Sequence, residues 1–98
     1  MRHARFDVAY LSLEQVNLPL KAAYLLVADT DDAVDPQWEL LAYGIDAAPL
    51  EQRTYRVELS TLAGRRMGGD AFLVRSVDGA HVLRGAGPLD GVDPTELA

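Results

Sequence analysis

The run Thr54-Tyr55-Arg56-Val57-Glu58-Leu59-Ser60 restricts this chain more than any other, because it alternates polar and apolar side chains without a break. A period of two matches the pleat of a β-strand, so Tyr55, Val57 and Leu59 belong on a buried face and Arg56 and Glu58 on a wet one. Such one-sided burial is the habit of antiparallel sheets. Downstream, Ala71–Val77 reads as a second strand, and Asp78-Gly79 supplies a strong two-residue hairpin signal before Ala80–Arg84. Ala63-Gly64 turns the chain, and Gly68-Gly69 marks a bulge or sharp bend ahead of residue 71. Residues 54–84 are therefore expected to form an antiparallel meander.

The first half is less decided. Phe6–Leu13 reads as a strand with Phe6, Val8 and Tyr10 on one face and Leu11 and Leu13 on the other, ending at a turn or irregular crossing near Glu14-Gln15. Ala22–Ala28 is continuously apolar, as in a strand buried on both faces. With Pro19 in a first turn, residues 19–28 also suit a short helix. Residues 36–43 pose the same choice. As a strand, Trp38, Leu40 and Ala42 share one face; as a helix, Asp35 is the N-cap, Pro36 the first position and Gly44 the stop. A hairpin joining these two segments across an acidic loop is the preferred reading.

Ninety-eight residues, 49% of them hydrophobic and 24% charged, suffice for one folded domain. We read residues 1–98 as that domain, with a glycine/proline-rich C-terminal tail from about residue 85 in which Leu89 and Val92 can cap a sheet. The fold class is mainly β: a small antiparallel, partly closed barrel or curled sheet of five to six strands, of SH3-like or Sm-like size. Closure would spare so many short strands their open edges. The alternative is an α+β domain with helices in 19–28 and 36–43.

The chain has no cysteine, which rules out disulfides and thiolate metal sites. A secretory pattern fails, because Asp7 and Glu14 interrupt the apolar residues after the N-terminus, and the seven apolar residues Ala22–Ala28 are too few to insert into a membrane. A cytoplasmic protein is expected.

The formal charge is -6, yet Arg53–Arg84 carries six arginines. Within it, Gly64-Arg65-Arg66-Met67-Gly68-Gly69-Asp70 joins flexible backbone to two guanidiniums. This combination can contact phosphate or carboxylate, although no P-loop or dinucleotide motif is present. Candidate contact residues are Arg65, Arg66, Gly68, Gly69, Arg75, His81 and Arg84. Asp29, Asp31, Asp32 and Asp35 form a candidate acidic docking loop. Calcium binding is not expected there, since Ala33 and Val34 stand where an EF-hand loop needs an oxygen ligand and a glycine. Catalysis by His81 would require Ser60, Ser76 or Asp70 to be brought beside it by the fold; no catalytic residue, metal or cofactor is assigned.

These features point first to a non-enzymatic protein-interaction or accessory-subunit domain, self-associating through an exposed strand edge or bound to a protein partner. An RNA- or nucleotide-binding barrel using the arginines is the second reading. The placement of Tyr55 inward and Glu58 beside Arg56 disfavours nucleic acid. A small hydrolase comes third.

Overall fold

The computed structural model describes residues 2–29 and 35–93. Its elements are β1 (Arg2–Leu13), β2 (Val16–Asn17), β3 (Leu20–Asp29), β4 (Gln37–Gly44), β5 (Thr54–Thr61), β6 (Arg66–Val77) and β7 (Ala80–Gly85). All pairings are antiparallel, in the order β2-β1-β3-β4-β7-β6-β5, and β5 pairs back onto β1. The result is a closed six-stranded barrel with β2 as an appended strand. The sequence had indicated five or six strands and partial closure.

Residues 20–29 and 37–44 are strands, which settles the helix alternative. They pair over their length, from Ala22 opposite Tyr43 to Ala28 opposite Gln37. Burial explains the choice. Ala23, Leu25 and Val27 of β3 and Trp38, Leu40 and Ala42 of β4 line the core at a spacing of two, which no helix could present to one side. β5 follows its alternation, with Tyr55, Val57 and Leu59 inside. The Asp78-Gly79 turn takes left-handed dihedrals at both residues, as the β6–β7 hairpin requires.

Closure depends on the two twelve-residue strands. The first half of β1 pairs with β3 and its second half with β5, with a register shift between Val8 and Tyr10. β6 passes from β5 to β7 and shifts register between Leu73 and Arg75. The β1 irregularity corrects the facing expected from sequence. Val8, Leu11 and Leu13 are all buried, whereas Tyr10 is 46% exposed, because the inserted residue reverses the alternation. Gly68-Gly69 are not the bend. They lie inside β6, opposite Glu58 and Val57, and the strand begins at Arg66.

The segment after β7 runs back along the barrel. Asp90 and Gly68 exchange backbone hydrogen bonds at 2.7 and 3.1 Å, and the Ala86 amide donates to Asp70. Leu89 is buried and Val92 packs on the core. Trp38 fills this end of the barrel, its Nε1 donating to the Gly87 carbonyl at 2.9 Å. The indole lies against Gly69 and Gly85, where a Cβ would collide with the ring. Large side chains and their glycine seats thus belong to one packing unit.

Candidate interaction surface

The arginines singled out in the sequence do not converge. Arg66 opens β6 and Arg75 lies nine residues further along it, roughly 30 Å away at strand rise. Arg65 is tied to the Gly91 carbonyl, and Arg84 on β7 pairs with Glu39 at 3.8 Å. Arg56, outside the original set, reaches Asp70 at 3.8 Å and Asp90 at 3.5 Å. These exposed pairs sit in high dielectric and are individually weak. They nevertheless place an acid beside most of the guanidiniums. Among the described residues, Arg66 and Arg75 have no ion-pair partner.

Arg66 and Gly68 border a cleft of about 700 Å³ that also takes in Tyr10, Arg56, Glu58 and Ser60. Its volume suits a small molecule, but its carboxylates and guanidiniums are mixed, and Arg56 and Asp90 pair with one another across it. Gly69 belongs to the Trp38 seat instead. Two further hollows flank Trp38. One, of about 670 Å³, includes Asp35, Arg84 and Pro88; the other, of about 400 Å³, is mostly apolar and includes Ala4, Leu26 and Ala28. In the acidic loop, Asp29 is paired with Arg2 and Asp35 is exposed, while Asp31 and Asp32 lie outside the described residues. No group of three metal-ligating side chains occurs among the described residues.

His81 is buried at 1% exposure, with Nδ1 2.8 Å from Ser76 Oγ. Ser76 Oγ also accepts the Leu50 amide at 2.9 Å. Desolvation lowers the imidazole pKa below its usual 6.5, and a serine hydroxyl proton directed at Nδ1 serves that neutral ring. The arrangement superficially suggests a nucleophile and base. However, no carboxylate bonds the imidazole among the described residues, and neither residue lines the three clefts. Its chemistry is that of a clasp. Together with Gln52 bonding the Val74 carbonyl and Arg53 accepting the Leu73 amide, it straps residues 50–53 across β6.

Barrel closure leaves few strand edges. Among the described residues, stretches without a strand on one side include Arg2–Phe6 of β1, the two-residue β2, Leu20–Ala23 of β3 on its β1 side and Val74–Val77 of β6 on its β5 side, the last strapped by residues 50–53. Arg2 and Arg5 guard the first, a charged-edge arrangement that discourages strand addition.

The outer face of β3, β4 and β7 is different. Its register aligns Tyr24, Leu41 and Val82 in one row and Ala22, Tyr43 and Ala80 in the next. Leu26 extends the first strand and Ile45 follows the second; Leu26, Tyr43 and Ile45 are 38%, 43% and 63% exposed. Tyr24 and Tyr43 meet edge to face at 6.4 Å, and the Arg5 guanidinium covers Tyr24 at 4.3 Å. Polar residues bound this strip at one end, where Glu39 and Arg84 sit beside Leu26 in the register. Strand alternation puts Glu39, Leu41 and Tyr43 on a common face of β4, while the neighbours that make this face apolar come from β3 and β7. The signal was present in the pairing of two apolar segments, but only the register brings it together.

In comparisons with known proteins, no family model matches this chain, and neither a curated protein nor a solved structure matches it.

Proposed function

We propose that this barrel is a non-enzymatic protein-interaction domain whose contact surface is the outer face of β3, β4 and β7. The observation that carries this reading is the pair of apolar rows Tyr24–Leu41–Val82 and Ala22–Tyr43–Ala80, rimmed by Glu39 and Arg84. Contiguous apolar surface with a polar rim and tyrosines at its centre is the composition of a protein contact. The closed barrel supplies a rigid platform for it. Self-association or docking on a larger assembly therefore uses a sheet face in preference to the strand edge.

A photo-crosslinking side chain introduced at Tyr43 tests this, with one at Glu58 on β5 as the control. Protein adducts in the source cells, whether with another copy or another chain, are expected from position 43 and not from 58. Equal labelling from both positions, or none from either, would refute the reading.

A further inference from the structure

We infer that the cleft formed by β1, β5 and β6 binds a free aromatic α-amino acid, held as a zwitterion between Glu58 and Arg66. These three strands lie across the barrel from the β3–β4–β7 face, so this site is separate from the contact surface.

Strand register builds the hollow. Tyr10 of β1, Ser60 of β5 and Arg66 of β6 form one row, with the small serine in the middle. The next row sets Glu58 opposite Gly68. Ser60 and Gly68 are therefore the low points, and Tyr10, Arg66 and Glu58 stand around them. Two backbone features keep the space open. The register shift after Val8 turns Tyr10 outward, as bulges commonly re-aim a side chain. At Gly68 an added Cβ would come within 2.8 Å of the Val57 carbonyl oxygen, so the floor stays bare. The remaining wall, residues 90–91, is pinned by the Gly68–Asp90 backbone bonds and by Arg65 on the Gly91 carbonyl.

Charge selects the occupant. Arg56 pairs with Asp90 and Asp70, which leaves Glu58 and Arg66. Among the described residues neither has an ion-pair partner, and they do not pair with each other. They are diagonal neighbours on the β5–β6 ladder, their backbones roughly 7–8 Å apart. A ligand carrying both charges on one carbon bridges them with hydrogen bonds of about 3 Å, its ammonium on Glu58 and its carboxylate across the Arg66 fork.

A simple anion would meet Glu58 as well as Arg66, and the overall charge of -6 would repel it. A simple amine would meet Arg66 and Arg56. A zwitterion has no net charge and satisfies both groups. Its side chain then lies over Ser60 against the Tyr10 ring, which stands two strand spacings, roughly 10 Å, from Arg66. An aromatic ring suits that contact, and the cleft of about 700 Å³ has room for it.

Amide chemical shifts of the isotope-labelled chain, titrated with phenylalanine, test the proposal. At ordinary ligand efficiency, about a dozen heavy atoms give a Kd of roughly 1–5 mM, with shifts centred on Ser60, Gly68 and Gly91. Phenethylamine lacks the carboxylate and 3-phenylpropionate lacks the ammonium; each should bind about fivefold more weakly. Arg66→Gln should weaken phenylalanine by a similar factor and leave phenethylamine no weaker. Glu58→Gln should do the same to phenylalanine while leaving 3-phenylpropionate no weaker. Tyr10→Ala should erase the preference for phenylalanine over glycine. Urea midpoints check that each variant folds. Absence of shifts at roughly 20 mM phenylalanine overturns the proposal. So do equal affinities for the three aromatic ligands, or phenylalanine binding indifferent to both Arg66→Gln and Glu58→Gln.

Discussion

Replacing Gly85 by alanine should cost this barrel about 3 kcal/mol, although it adds one methyl group to a strand. An added Cβ would fall on Trp38 Nε1 and come within 2.6 Å of ring atoms Cδ1 and Cε2. The indole has little room to retreat. It is 3% exposed and its other flank meets Gly69, itself enclosed by Pro88. Overpacking of this kind costs roughly 1–3 kcal/mol. If the ring tilts to escape, the Nε1 bond to the Gly87 carbonyl is lost as well, adding about 1 kcal/mol.

A domain of this size loses about 4–8 °C of Tm per kcal/mol, so the expected fall is about 12–24 °C. Gly87→Ala is the matched control. It lies two residues on, with nothing within 4 Å of its added Cβ, and should change stability by less than about 0.5 kcal/mol. Urea unfolding read by circular dichroism measures both. The pair Gly85→Ala with Trp38→Phe should be less destabilised than the sum of its parts, because phenylalanine removes the nitrogen that the methyl strikes. Equal stability of Gly85→Ala and Gly87→Ala would refute the packing argument, as would strict additivity in the cycle.

Ser76→Ala should destabilise the fold by about 1–3 kcal/mol, since it strands the Leu50 amide and the His81 ring at once; urea midpoints and amide exchange at Leu50 report it. The lowered His81 pKa means that below about pH 6.5 the unfolded chain binds a proton the folded chain refuses, so stability rises with pH across that interval and falls on acidification. Urea midpoints at pH 7.0 and 5.5 should differ accordingly, and His81→Gln should reduce the difference; an unchanged pH dependence would disprove the assignment. Gln15 holds a left-handed φ of 65°, so Gln15→Gly should gain about 0.5 kcal/mol by thermal unfolding once glycine's extra unfolded-state entropy is counted.

Much of the barrel can be read from short-range pattern. β5 alternates because each side chain meets either core or solvent, and the Asp78-Gly79 turn is fixed by the dihedrals its two residues accept. β3 and β4 were ambiguous for a related reason. The outer face of β3 and the Leu41–Tyr43 end of β4 are also apolar, so much of the polar half of the alternation that identifies a strand is missing. The β1 bulge is equally silent: Phe6, Val8, Leu11 and Leu13 change phase at a residue with no distinctive side chain. Tertiary pairing with β5 makes that change favourable, and no local preference announces it.

The site was hidden by the same physics. Arginines and glycines attract notice in a sequence because their chemistry is distinctive, but β6 carries Arg66 and Arg75 to its opposite ends and gives Gly69 to Trp38. His81 and Ser76 meet across the β6–β7 hairpin and hold a loop. Tyr24, Leu41, Tyr43 and Val82, spread over fifty-nine positions and unremarkable singly, become one surface when β4 lies between β3 and β7. Under the proposed contact, the ambiguity that obscured β3 and β4 has a functional source. A strand whose outer face must meet another protein is apolar on both sides, and its sequence loses the alternation that would have identified it.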